Sequence, residues 1–353
     1  MTANGITSCT GRLQGRGSVC RPDFPALLRS PYRDPGPHGP RHSAPARHRW
    51  HACRMDLSRR ALTRAVVRGV NTVGATPISS RNLLARAGRL VGPDGSAALR
   101  EAVGGKVVLV TGASSGIGRA AASRFAAAGA TVLLVARSEE QLVELAAEIA
   151  ALGGTAYPYR CDLADLDQVD ALVTKVLDAH GHVEVLVNNA GMSIRRKVRY
   201  SVDRFQDFER PMQLNYFAAI RLTLGLLPTM MERESGQVVN ISSWAALLRP
   251  ARFSGYAASK AALEAWSDSV QGEVLDEGVV FTNVHMPLVR TPMIAPTKLY
   301  RRMPALTVDQ AAGVVCDAVV SRSRRVTPMV AAMVGWAESV SPGLGDVIRK
   351  NAI

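Results

Sequence analysis

Tyr256 and Lys260 stand four residues apart, and Ser243 precedes the tyrosine by thirteen. On a helix that four-residue spacing puts phenol and ammonium on one face. A phenol ordinarily titrates at about 10, so it exchanges protons poorly at neutral pH unless a nearby cation stabilises its phenolate. Lys260 supplies such a cation. The Ser243 hydroxyl can hydrogen-bond a substrate oxygen and hold it beside the phenol. The three residue types together suit proton exchange with a carbonyl or alcohol oxygen. A tyrosine and a lysine at this spacing are common by chance, so the weight of the reading rests on what the chain provides upstream. A serine hydrolase is disfavoured, because His285 has no nucleophile elbow to pair with.

Upstream, over residues 106–122, an apolar run ends in Thr111, Gly112, Ala113, Ser114, Ser115, Gly116, Ile117 and Gly118, followed by an alanine-rich helical pattern. Gly112 permits a sharp turn, Gly116 a close approach of backbone to ligand, and Gly118 tight packing of helix on strand. The free N–H groups and positive dipole end of the helix favour an anion, so this is a diphosphate site of the dinucleotide type. A P-loop is disfavoured, since no lysine follows the last glycine.

The elements that must position these groups alternate. Strands are predicted at 131–136, 155–160, 183–187, 237–241 and 279–286, with helices at 139–152 and 165–179 and a long helical stretch over 205–231. A helix carrying Tyr256 and Lys260 begins near Gly255, and Thr307 with Gln310 forms a capping box for a helix over 307–321. Short connections between alternating strands and helices mean an α/β fold with a doubly wound parallel sheet, ligands lying at its carboxyl edge. The end of the second strand reads Ala136, Arg137, Ser138. An acid there would bind a ribose 2′-hydroxyl and repel a 2′-phosphate; a guanidinium favours NADP(H), with Ser114 and Ser115 as further donors.

The spacing of Gly112, Gly116 and Gly118, with Ser243, Tyr256 and Lys260 following in order, resembles the short-chain dehydrogenase/reductase superfamily. The resemblance covers roughly residues 100–340 and implies a Rossmann-type catalytic domain. It also implies roles for single residues: Asp162 near the adenine, although an N-cap is a second use for it, and Asn188 and Ala190 of the N-N-A-G segment near the cofactor. Asn215 would hold a water that links Lys260 to solvent, and Thr291 would contact the nicotinamide end. Leu288 stands where glycine is usual in the superfamily. Three longer stretches, residues 193–196, 205–216 and 286–300, are similar to bacterial fatty acyl-CoA reductases, a group in which a leucine there is normal. That likeness implies hydride transfer from NADPH to an acyl-CoA thioester. An NADPH-dependent ketone or aldehyde reductase using the same residues, and a non-catalytic dinucleotide-binding protein, remain as alternatives.

Charge is placed unevenly along the 353 residues. Residues 1–100 carry 17 Arg and 4 Asp, whereas residues 101–353 are almost balanced, so the net charge of +14 says little about the catalytic part. Residues 1–54, rich in Pro, Gly and His without an apolar period, read as a disordered leader. A translated upstream stretch before Met55, a native basic tail and a targeting peptide are the three readings of it. An N-terminal helical extension over 55–104, a catalytic domain over 105–325 and a C-terminal segment over 326–353 complete the organisation. Within the extension, residues 57–70 have a basic amphipathic pattern that fits packing on the body or contact with a membrane surface. No nucleic-acid motif accompanies the basic charge, and the five cysteines have no metal spacing. A reducing cytoplasm fits, with membrane association and a homo-oligomer left open. Finally, Arg195, Arg196, Lys197 and Arg199 leave the fourth strand at the substrate end. A solvated face, a site for substrate phosphates and a partner surface are the readings of that cluster.

Overall fold

The computed structural model describes residues 94–295, 297, 300, 302–328, 331, 343 and 346. The leader, the amphipathic pattern at 57–70 and most of the C-terminal segment lie outside the described residues.

The described chain begins with α1 (Asp94–Val103) and β1 (Val107–Thr111), then α2 (Gly116–Ala127), β2 (Thr131–Ala136), α3 (Glu139–Ala151) and β3 (Thr155–Arg160). It continues with α4 (Leu166–His180), β4 (Val185–Asn188), a 3-10 turn at Val198–Tyr200, α5 (Gln206–Met212), a π-helical turn (Gln213–Phe217) and α6 (Ala218–Glu232). The last elements are β5 (Gly236–Ser243), α7 (Trp244–Leu248), α8 (Ser254–Glu273), β6 (Val279–Met286), α9 (Val308–Ser321) and β7 (Arg325–Val326).

The strands form one seven-stranded sheet in the order β3-β2-β1-β4-β5-β6-β7, with every pairing parallel. The chain reverses its direction of winding between β1 and β4, where an open α/β sheet leaves a crevice for ligand. Side chains alternate across the strands, and the alternation builds two cores. Val108, Val110, Val132 and Leu134 pack on one face with α2, α3 and α9; Leu109, Leu133, Val135 and Leu186 pack on the other with α4 and α6. Fully burying a leucine such as Leu133 contributes about 1.5–3 kcal/mol. Pro158 sits in β3 at one edge of the sheet, where a missing N–H costs least.

The long helical stretch expected over 205–231 is present and runs without a gap from Gln206 to Glu232, with one π-helical turn inside it. Pro211 lies within α5, where it cannot donate to the preceding turn, and the π-helical turn follows directly and turns Asn215 inward, 1% exposed. Two short elements, α7 and β7, were not expected from the sequence. The capping box at Thr307 and Gln310 is present, as predicted. Leu288 is not among the positive-φ positions, so the local backbone accommodates a side chain where the superfamily usually has glycine.

Candidate active site

At the carboxyl edge of the sheet lies a cavity of about 840 Å³. Its first wall is the β1–α2 turn, with Gly112, Ser114, Ser115, Gly116 and Ile117. Gly112 and Gly116 have φ of +65° and +56°. A Cβ on Gly112 would lie 2.9 Å from Asn189 Nδ2, and one on Gly116 would lie 3.3 Å from Thr291 Cγ2. Ser115 is the N-cap of α2 yet makes no side-chain cap bond, so its hydroxyl and the first helical N–H groups remain available to an anion. Gly118 serves packing: a Cβ there would be 2.3 Å from the Gly112 carbonyl oxygen. These features fit the diphosphate of a dinucleotide.

The ends of the next strands extend this wall with Arg137, Ser138 and Asp162. Asp162 also accepts a bond from Ala164 N at 3.1 Å, whereas the N-cap of α4 is Asp165. After β4 the cavity meets Asn189, Ala190 and Gly191, but not Asn188. Asn188 is buried, and its amide donates to Asn240 Oδ1 at 3.0 Å and Thr223 Oγ1 at 3.2 Å. Its neighbour Asn189 holds the glycine turn by donating to Thr111 O at 2.8 Å.

Ser243, Tyr256 and Lys260 meet on the opposite wall. β5 ends at Ser243, whose hydroxyl accepts from Ala245 N at 3.1 Å and hydrogen-bonds the Tyr256 phenol. Lys260 is 4% exposed and donates to the Ile241 carbonyl at 2.7 Å. Burial pushes its ammonium down to about 8, with the Glu264 carboxylate opposing that shift. Burial likewise raises the phenol of Tyr256; the bond to Ser243 lowers it and Glu264 raises it. A cation beside the phenol would lower it, but desolvation prevails here, and Tyr256 stays protonated at neutral pH. A protonated phenol is what donation to a carbonyl oxygen requires.

Asn215 stands one layer behind. Its Oδ1 accepts from Met192 N at 2.8 Å, and its Nδ2 donates to Met192 O and Ser259 Oγ, each at 2.9 Å. It therefore ties the loop after β4 to the helix that carries Tyr256. Gly191 fits between it and the lysine: a Cβ would be 3.1 Å from Asn215 Oδ1 and 3.5 Å from Lys260 Nζ.

The remaining wall is largely apolar, with Trp244, Phe253, Met293, Ile294, Tyr300 and Met303. Arg290 braces it by donating to the carbonyls of Tyr300 at 2.7 Å and Met303 at 2.6 Å. The basic cluster divides. Arg195 lines the cavity, whereas Arg196 pairs with buried Asp207 at 2.7 Å and Arg199 lies over the Tyr200 ring. Arg210, which sequence reasoning missed, joins Arg195 at the cavity. It stands on α5 one residue before Pro211, outside every catalytic or cofactor motif of the sequence. Cys161 also lines the cavity, but burial raises its thiol to about 11, so it is no thiolate nucleophile near neutrality.

A parallel sheet with a glycine turn at its switch point and a Ser–Tyr–Lys group across the crevice defines a dinucleotide-dependent oxidoreductase scaffold. The chain belongs to the short-chain dehydrogenase family, whose sequence model, described as short chain dehydrogenase, matches residues 106–300. It is similar to a fatty acyl-CoA reductase of Acinetobacter baylyi, 49% identical over 252 residues, which are 71% of this chain and 85% of that protein. A fatty acyl-CoA reductase of Mycobacterium tuberculosis is 46% identical over 239 residues, 67% of this chain and 81% of that one. Among solved structures, a metagenomic short-chain oxidoreductase in complex with NADP superposes with a TM-score of 0.55 at 32% identity, covering 64% of this chain and 97% of the other.

Proposed function

We propose that the protein is an NADPH-dependent reductase that converts fatty acyl-CoA to fatty aldehyde, releasing the CoA thiol. One observation carries the reading: a single cavity joins the glycine turn, the Ser243–Tyr256–Lys260 group and a long apolar wall. The likeness to fatty acyl-CoA reductases supports the thioester as substrate. Arg137 supports NADPH over NADH, since with Ser114 and Ser115 it offers donors to a 2′-phosphate at the end of β2.

NADPH, when bound, supplies the hydride. Gly112, Ser114, Ser115, Gly116 and Ile117 would hold its diphosphate, with Arg137, Asp162, Ala190 and Thr291 along its length. Ser243 holds the thioester carbonyl oxygen beside Tyr256, and the phenol donates its proton as that oxygen gains negative charge. Lys260 stabilises the resulting phenolate, and Asn215 fixes the loop beside it. The C–S bond of the tetrahedral adduct then breaks as its hydroxyl returns the proton to the Tyr256 phenolate; the carbonyl re-forms as an aldehyde, and the departing sulfur takes up one proton from Tyr256 or solvent to leave as CoA thiol.

The test is incubation with palmitoyl-CoA and NADPH in the presence of a thiol reagent. NADPH-dependent thiol release, equal to the NADPH oxidised before the aldehyde accumulates, is the expected result. Reduction of ketones or aldehydes with no thiol released from palmitoyl-CoA would replace this reading with that of a carbonyl reductase.

A further inference from the structure

Behind the reactive pair, α8 presents Lys260, Glu264, Ser267 and Gln271 to the sheet. Lys260 bonds the Ile241 carbonyl, and one turn later Glu264 accepts from the hydroxyl of Ser242, the next residue of β5. The second carboxylate oxygen of Glu264 lies 2.9 Å from His285 Nε2 on β6, and His285 Nδ1 lies 2.8 Å from Thr327 Oγ1. Further along, Ser267 bonds Asn283 and Gln271 bonds the backbone of Val279 and Phe281. His285 is 2% exposed and the Glu264 side chain 12%.

The chemistry above uses Tyr256, Lys260 and Ser243, and leaves Glu264 without a part. Stapling helix to strand does not require a charge, for a neutral amide could also bond Ser242 and His285. A carboxylate largely removed from water is costly unless it is paired. Its surroundings supply the pairing. Tyr256 and Lys260 lie on its own helix, two turns and one turn earlier; Ser242 and His285 face it from β5 and β6, and Thr327 completes the His285 contacts. Asp268, the next acid on α8, is engaged by Arg324 and Arg325 instead. An imidazole that donates from Nε2 and accepts the Thr327 hydroxyl proton at Nδ1 satisfies both contacts, and Lys260 is the cation nearest to Glu264 along the helix.

We propose that Glu264 is a positioning residue whose buried carboxylate, fixed by Ser242 and His285, is the counter-charge that keeps Lys260 protonated beside Tyr256. This rests on the reading of Tyr256 and Lys260 as the reactive pair. Residues four apart on a helix share one face, and the Glu264 carboxylate raises the Lys260 ammonium against its burial. Lys260 stands at about 8 with that carboxylate in place, so its loss would move the ammonium toward the neutral form near physiological pH.

The experiment is Glu264→Gln in the full chain, read in two ways. The full sequence has six lysines, and with 13Cε-labelled lysine and Lys260→Arg to assign the signal, NMR titration of the ligand-free protein gives the Lys260 midpoint directly. The pH profile of kcat gives the same group in turnover. Both the midpoint and the alkaline limb are expected to fall by about one unit. Ser242→Ala, which removes a bond and keeps the charge, should leave both in place. A midpoint unmoved in Glu264→Gln makes Glu264 a structural staple and overturns the proposal, whatever happens to the rate. Should that variant fail to fold, Glu264→Asp, with its carboxylate withdrawn by a methylene, is expected to give a smaller shift of the same sign; no shift overturns the proposal equally. Activity surviving in Tyr256→Phe would instead sink the underlying assignment of the pair.

Discussion

Strands β1, β2 and β4 read VVLVT, TVLLVA and VLVN, whereas β5 and β6 read GQVVNISS and VVFTNVHM. The first set builds its interior almost wholly from aliphatic side chains, and the groups it brings to the cavity are backbone and side chains at the strand ends. The second buries Gln237, Asn240, Ser242, Thr282, Asn283 and His285. Their bonds run across the sheet: Asn188 donates to Asn240 at 3.0 Å, Asn240 to Asn283 at 3.1 Å, and Asn283 to Ser267 on α8 at 2.9 Å. Gln237 bonds Thr282 and the Ala318 carbonyl, each at 3.1 Å. Apolar burial is non-directional, while a satisfied polar network specifies one arrangement. A backbone cradle tolerates the former. Side chains that must place a proton within reach of a reacting oxygen depend on the latter.

The largest effect should come from the second region. Tyr256→Phe removes the proton donor and almost no volume, so kcat should fall about 10²–10⁴-fold while dinucleotide binding, followed by fluorescence titration, stays within a factor of two or so. Loss of binding in step with activity would blur the contrast between the two walls of the cavity.

Next in size is a stability difference. Asn240→Leu strands the Asn188 donor and removes the bond to Asn283, and it should cost about 2–3 kcal/mol, or roughly 4–10 °C in Tm. Leu109→Met in the first region conserves volume and should cost less than about 1.5 kcal/mol. Equal losses by thermal denaturation would show that the polar seam is no more demanding than the apolar core.

Smaller again is a change of preference within the first region. Arg137→Asp puts a carboxylate where a 2′-phosphate would lie, and the ratio of kcat/KM for NADPH over NADH should fall at least about tenfold with little change in Tm. An unchanged ratio would make Arg137 a solvated surface residue.

These regions also differed in how plainly the sequence announced them. The glycine turn and the strands of the first half are local signals, because an apolar run and a positive-φ position are fixed by neighbours in the chain. Tyr256 and Lys260 were legible for the same reason. The sequence showed two adjacent asparagines, but which one faces the cavity depends on β4 pairing with β5, where Asn188 meets Asn240. Arg196 looked like part of an anion site, yet its partner Asp207 is eleven residues away on a helix that must first pack. The π-helical turn that aims Asn215, the five-residue α7 and the two-residue β7 are set by tertiary contacts and leave only Pro211 as a trace. Glu264 was invisible as a partner of His285 until α8 lay on β6.

The last comparison divides the basic cluster itself. Arg195 and Arg196 are adjacent in sequence but serve different regions: the first reaches the cavity wall with Arg210, and the second turns away to Asp207, which also bonds Ser201 at 2.9 Å. The phosphates of a CoA thioester are anionic and lie far from the reacting carbon, so a guanidinium that meets them should act on binding more than on chemistry. Arg195→Ala should therefore raise KM for palmitoyl-CoA about three- to fivefold, reduce its dependence on salt, and leave reduction of a free fatty aldehyde unchanged. Arg196→Ala should instead lower Tm, since it takes a cation from a buried carboxylate, and should affect thioester and aldehyde alike. If Arg195→Ala impaired both substrates equally, its place on the cavity wall would be structural. The phosphates would then have to be met elsewhere, with Arg210 the next residue to replace.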